Sequence, residues 1–422
     1  MKKLIFAVFI IICALSCKGK PVEAGADEAM LAKVDSILAS MDVQRKVAQL
    51  FIVQIDRNNP AKTRMRQDSL VRMGLGGIII MRGPVAPFME RMNELQGYAQ
   101  IPLLTCTDAE WGAAMRFPAE YMDYPRQFQL GKIDDAGDIM YRMGLNVGQE
   151  LKDLNIYVNF APVGDLMDVP SEAGSQREFG TDKKKAAAYS VAYMKGMQDA
   201  GIFACGKHYP GNGDTPIDAH VDMPVFDYSR ETMDTLYLEP FKAMVDNGVS
   251  FIMVGHCCYP SIDSTMIPMS ISSACVTDLL KGEMGFKGIV TTDALGMGGV
   301  AKGRTSIEVS VGAYKAGIDM LLMPRDPIEC INAIADSVAT GVFSMEDLDN
   351  RVRKVLTYKA KAGFFDEGYS PIVENLDEKV AAARLRDSLL IDEMWAAIKA
   401  SKIEVEKATV DPTLQMDEGV DK

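Results

Sequence analysis

The stretch KHYPGNGDTPIDAH, from Lys207 to His220, concentrates residues that can move protons. It opens on Lys207 and His208 and closes on Asp218-Ala219-His220. An Asp two residues before a His can hydrogen-bond one imidazole nitrogen and fix its tautomer. The other nitrogen is then free to exchange a proton with a leaving group. A loop histidine is an ordinary surface residue, but this one has an acidic partner. The chain has only three histidines, His208, His220 and His256, in 422 residues. A three-His zinc site would need all of them, and no metal-ligand spacing is present, so no metal or other cofactor is expected.

Other ionisable residues fall at the ends of apolar runs. Eight such runs read as strands: Leu50–Ile55, Gly77–Met81, Pro102–Thr107, Tyr157–Val163, Ile202–His208, Phe251–His256, Gly288–Asp293 and Ile318–Met323. Their near-continuous hydrophobicity suits parallel strands covered on both faces. The segments between them carry helical spacing, as in Ile139, Met143, Val147 and Leu151. Gly285 and Gly317, each just before a strand, fit helix C-caps. Eight strand–helix units predict an α/β fold, a (β/α)8 TIM-type barrel with a C-terminal helical or disordered tail. The alternative, an open doubly wound sheet, lacks a Gly-x-Gly-x-x-Gly after the first strand.

Barrel sites sit at the C-terminal ends of the strands. Those ends carry Asp108, Asp165, Lys207 with His208, His256, Asp293 and Arg325. Any one could be a structural ion pair. Six of eight ends bearing such a group is a cluster, which favours a site.

Composition sets the frame. With 48% hydrophobic and 24% charged residues, the chain can bury a large core. A net charge of -13 argues against a nucleic-acid partner, which requires a basic face. Lys2 and Lys3 precede an apolar run from Leu4 to Leu15, too short to span a bilayer comfortably and shaped like a signal-peptide core. Ala14-Leu15-Ser16-Cys17 resembles a bacterial lipobox. Residues 1–17 therefore read as a lipoprotein signal with Cys17 as the lipidated residue, or alternatively as an ordinary secretion signal. Residues 18–29 read as a flexible tether and 30–365 as the barrel. The expected location is the cell envelope, periplasmic or outer-membrane, with membrane contact only through the lipid. Cys106, Cys205, Cys257, Cys258, Cys275 and Cys330 lack CxxC spacing, and most sit in apolar runs, so buried thiols are favoured over disulfides. Residues 366–422 hold 14 acidic against 7 basic residues. They read as an acidic tail, with a helix over Val380–Ala400 and a solvated end after Lys402.

Lys207 to His220 also resembles the signature of bacterial β-N-acetylglucosaminidases of glycoside hydrolase family 3, Lys-His-Phe-Pro-Gly-His-Gly followed by Asp-Ser-His. Further segments match in chain order: IPLLTCTDAEWGAAMRF around Asp108, NFAPVGDL at Asn159–Leu166 and QREFGTD at Gln176–Asp182. MVGHCCYPSID at Met253–Asp263 and EMGFKGIVTTDALGM at Glu283–Met297 follow. The resemblance runs from about Met41 to Phe365. It implies a retaining glycosidase acting on terminal β-linked N-acetylglucosamine, as in peptidoglycan fragments or other glycans. Asp293 corresponds to the nucleophile, and His220 backed by Asp218 to the general acid/base. Asp108, Arg116, Arg177, Lys207 and His208 correspond to sugar-binding residues. His256, Asp165, Asn212 and Met297 are expected to support them.

The departures are specific. The family pattern after Asp108 is Glu-Gly-Gly-Arg-Val-x-Arg, whereas Glu110-Trp111-Gly112-Ala113-Ala114-Met115-Arg116 stands here. The first Arg is lost to Ala113. Asn212 replaces a His, and Glu178 stands where Ser is usual, able to partly neutralise Arg177. Trp111 could stack on a sugar or be buried. These departures keep three readings open: the hydrolase, a family 3 exo-glycosidase or phosphorylase of other specificity, and a glycan-binding lipoprotein without turnover.

Overall fold

The computed structural model describes residues 24–55, 61–166, 176–212 and 217–401. Eight parallel strands run β1 Phe51–Ile55, β2 Gly77–Ile80, β3 Leu104–Thr107, β4 Val158–Asn159, β5 Phe203–Tyr209, β6 Phe251–Val254, β7 Ile289–Thr292 and β8 Leu321–Leu322. From β1 to β7 each pairs with its successor in the chain, and β8 returns to β1 with Phe51 opposite Leu321. A single parallel bridge between Thr291 and Met320 closes the ring between β7 and β8. All eight expected strands are present, and the fold is the (β/α)8 barrel.

Parallel neighbours require a crossover, and helices supply it. The helix Gly137–Asp153 buries Met143, Val147 and Leu151, three members of the expected stripe, and leaves Ile139 partly covered. The helix Ser306–Ala316 starts on a Thr305/Glu308 capping box and stops at Gly317, whose φ of +106° is left-handed. β4 is shorter than expected. Pro162 has no N–H to donate, and past Asn159 the contact with β5 runs through Cys205 N–H to Ala161 O at 2.8 Å and the bridge between Val163 and Lys207.

Below the strands, Lys359 from the helix Met345–Lys361 is fully buried and donates to Gln49 Oε1 at 2.8 Å. The six described cysteines are free and buried.

Two expectations change at the ends. The helix Ala24–Ala39 takes in residues 24–29 of the expected tether; Leu38 is buried there and Val34 fully so. The helix read over Val380–Ala400 starts earlier, at Leu376. It buries Ala383, Leu390, Ile391, Met394 and Ile398, and Glu393 takes a two-pronged ion pair from Arg142 at 2.5 and 2.8 Å. Cys17 with the apolar run before it, and residues 402–422, lie outside the described residues. Among the described residues no helix is long and apolar enough to cross a membrane.

Candidate active site

The strand ends bring the charged residues together in linked groups. Asp108, one residue past β3, accepts from Lys207 Nζ at 2.6 Å and from an Arg116 terminal nitrogen at 2.6 Å. Arg116 Nε also donates to the Asp108 carbonyl at 3.0 Å. Burial works to raise the Asp108 carboxyl, but the two cations hold it below its ordinary value.

Glu110 forms the middle of this group. It is fully buried, takes a fork from Arg177 at 2.7 and 2.8 Å, and lies 2.6 Å from Lys207 Nζ. Burial opposes its charge; Arg177 and Lys207 outweigh that and hold its carboxyl well below the usual range. Sequence reasoning missed Glu110 as a site residue. The available signal was a carboxylate flanked by Ala109 and Trp111, two residues beyond Asp108, where a buried charge needs cations nearby.

A second group fixes the fifth strand end. Asp165 is buried and accepts three hydrogen bonds: His208 N–H at 3.1 Å, His208 Nδ1 at 2.7 Å and Asn212 N–H at 2.7 Å. The carboxylate thus accepts the Nδ1 proton and fixes the orientation of the His208 ring. Asn212 contributes through its backbone here, so exchanging its side chain leaves this bond in place.

The third group surrounds Asp293, one residue past β7. Its N–H donates to Val254 O at 2.9 Å, and its Oδ1 accepts from Ala294 N–H at 2.7 Å. The carboxyl is half-buried. Burial pushes it up, but the imidazoles of His208 and His256 and the Ala294 N–H hold it at about 2. His256 is buried with both nitrogens occupied: Nε2 donates to Ala294 O at 2.9 Å and Nδ1 accepts from Ser270 Oγ at 2.8 Å. Burial depresses its basicity while the Asp293 carboxylate works the other way, and its two bonds brace the Asp293 turn. Met297 N–H closes that turn on Ala294 O at 3.0 Å, and Arg325 donates to Gly296 O at 2.8 Å.

His220 sits differently. Its side chain is 61% exposed, and Nδ1 lies 2.8 Å from Asp218 Oδ1. Its own N–H also donates to that oxygen at 2.8 Å. The His220 and Ala219 carbonyls accept from Gly298 and Gly299 N–H at 2.8 and 2.9 Å. The His220 loop is therefore tied to the segment that carries Asp293. Within the Lys207–His220 stretch, residues 213–216 lie outside the described residues.

The structure decides between the two readings of Trp111 and places Glu178. Trp111 is 2% exposed, and the Arg126 guanidinium lies 3.8 Å from its ring centre, so the ring is a buried support and not a sugar platform. Glu178 acts on Arg177 through its charge, while the two-pronged hydrogen bond of Arg177 goes to Glu110. The Ala113 N–H donates to Glu150 Oε2 at 2.9 Å, which ties the departing segment to the helix Gly137–Asp153.

Glu178 carries a consequence for pH. It is 6% exposed, and burial pushes its carboxyl up to about 7 despite the adjacent Arg177. A raised carboxyl binds its proton more tightly folded than unfolded. Its contribution is present below about pH 4.5 and is lost as pH rises through 7, on the order of 3 kcal/mol in all. Glu178→Gln is expected to melt higher than the parent protein at pH 8, with the gap closing toward pH 5. Parallel melting curves across that range would contradict this.

Residues 42–358 match the Glycosyl hydrolase family 3 N terminal domain. A β-hexosaminidase of Nitrosospira multiformis is 31% identical over 291 residues, covering 66% of this chain and 82% of that protein. The structure of a glycoside hydrolase family 3 β-N-acetylglucosaminidase from Paenibacillus sp. FPU-7 superposes with a TM-score of 0.74 at 29% identity, over 85% of this chain and 69% of that one. A β-N-acetylhexosaminidase from Beutenbergia cavernae gives a TM-score of 0.68 at 26% identity, over 76% of this chain and 99% of that one. With a barrel whose strand ends carry these linked carboxylates, cations and imidazoles, and with three quarters of its length matched, the chain belongs to glycosyl hydrolase family 3.

Proposed function

We propose that the protein is a retaining exo-glycosidase that releases terminal β-linked N-acetylglucosamine from peptidoglycan fragments or other glycans. The names of its relatives support the substrate class. In this reading an Asp293 oxygen attacks the anomeric carbon as the bond to the leaving oxygen breaks. Protonated His220, its Nδ1–H held by Asp218, gives its Nε2 proton to that oxygen. Water then attacks the glycosyl–Asp293 ester and returns a proton to Nε2, releasing sugar and free carboxylate. The scheme differs from the common pair of carboxyl groups in using an imidazole as acid and base. Asp108, Arg116, Lys207 and Arg177, with Glu110 fixing the last two, offer charged donors and acceptors to a hydroxyl-rich ring.

The observation that carries the reading is the backbone tie between the His220 loop and the segment following Asp293. It joins a solvent-reachable proton donor to a carboxyl kept ionised. The test is turnover of a β-N-acetylglucosaminide in buffers with and without phosphate. Free N-acetylglucosamine is expected in both. Sugar 1-phosphate would identify a phosphorylase, and absence of turnover a glycan-binding lipoprotein.

The same proposal places the protein in the cell envelope, held by lipid on Cys17. Ala14-Leu15-Ser16-Cys17 supports this. Labelled fatty acid should enter the parent protein and not Cys17→Ser; equal labelling would refute it.

A further inference from the structure

Gly298 and Gly299 follow Asp293 by five and six residues and open the short helix Gly298–Ala301. Neither has the positive φ that favours glycine. Backbone freedom therefore does not account for a glycine pair here. Close approach does. A Cβ built on Gly298 would lie 2.3 Å from the Val221 carbonyl oxygen and 2.7 Å from that of His220. One on Gly299 would lie 2.9 Å from the Ala219 oxygen and 3.1 Å from His256 Cβ. Real Cβ atoms do not come so near to backbone, so any side chain at Gly298 must push the loop away.

Around His220 the described residues of the loop are largely exposed. His220 is largely exposed, Val221 is 64% exposed, and Asp218 is 41% exposed. A turn within the loop, Val221 N–H to Asp218 O at 2.9 Å, shapes it without docking it. Lys302 Nζ reaches Asp222 Oδ2 at 2.6 Å, an ion pair on the surface and therefore weak. The next anchor is the bridge between Val225 and Cys258. Among the described residues, the two hydrogen bonds from Gly298 and Gly299 are the ties to another element nearest His220.

We propose that Gly298 and Gly299 are positioning residues: their bare backbone seats the His220 loop at a fixed height over the Asp293 turn, so that proton transfer and nucleophilic attack meet at one sugar. The inference rests on reading His220 as the acid/base. Displacing a general acid by about 1 Å is enough to cost on the order of a hundredfold in rate.

The test compares kcat/KM for two β-N-acetylglucosaminides, one with a dinitrophenolate leaving group and one with a simple alkoxide, in four proteins: parent, His220→Ala, Gly298→Ala and the double variant. Gly298→Ala is expected to lose roughly a hundredfold on the alkoxide and less than about tenfold on the dinitrophenolate, which needs little protonation. In the His220→Ala background it should cost nothing further on the alkoxide. Gly299→Ala, whose misfit is smaller, should show the same pattern more weakly and serves if Gly298→Ala does not fold. Equal losses on both substrates in a folded variant, or losses that multiply with His220→Ala, overturn the inference while leaving the functional reading intact. A His220→Ala variant with no dependence on leaving group overturns the functional reading and the inference with it.

Discussion

Asp293→Ala is expected to lose roughly four orders of magnitude or more in kcat on a β-N-acetylglucosaminide, because in the proposed mechanism it removes the atom that forms the covalent bond. The surroundings of the residue suit the proposed attack. Its backbone is fixed by Val254, and one oxygen is aimed by the Ala294 N–H. The group is held at about 2, so it is ionised at every pH where the protein would be assayed. The loss should therefore be independent of pH between 5 and 8. The fold should persist, since His256 keeps its bonds to Ser270 and Ala294 without the carboxyl. Added azide gives a sharper readout. It can enter from the face that Asp293 served, so the product should be the α-glycosyl azide. Retained activity in Asp293→Ala, or rescue giving the β-azide, would remove Asp293 from the nucleophile's role.

In kcat/KM, His220→Ala should fall by roughly a hundred- to ten-thousandfold on alkoxide leaving groups and far less on dinitrophenolate. Protonation matters only where the departing oxygen is a poor anion. The second step suffers on every substrate, since the same imidazole activates water. Azide needs no base, so it should intercept the glycosyl-enzyme and yield the β-azide. The contrast with Asp293→Ala in azide stereochemistry distinguishes the two roles even where the rate losses overlap. Asp218→Asn should behave as a weaker His220→Ala, because the imidazole keeps its place but loses the ionised acceptor at Nδ1. An Asp218→Asn protein as active as the parent would mean that the 2.8 Å contact does not serve the reaction.

The eight strands were legible because each is an apolar run bounded by polar segments, and parallel strands buried on both faces must look so. The charged residues at their ends were legible for the converse reason: an ionisable side chain closing an apolar run is costly unless partnered. Partnership itself was not legible. Nothing in the spacing says that Lys207 bridges Asp108 and Glu110, since the pairing depends on strands β3 and β5 lying one strand apart. The role of Glu110 was hidden for that reason, as was the destination of the Arg177 fork. Trp111 shows the opposite failure. Its neighbour Asp108 invited a sugar-facing reading, but the chain turns at Gly112, with φ of +96°, and the ring is buried beside Arg126. The Gly298–Gly299 seat was not legible either, since two glycines after a strand fit a loose turn as readily as a backbone contact.

The central claim is a covalent bond between sugar and Asp293. Incubation with a fluorinated N-acetylglucosaminyl fluoride, whose fluorine slows the second step while its activated leaving group permits the first, followed by proteolysis and mass spectrometry, tests it directly. The account predicts one glycosyl adduct per chain, on the peptide containing Asp293, absent from Asp293→Ala. An adduct on another carboxylate, or steady turnover with inversion and no adduct, would contradict it.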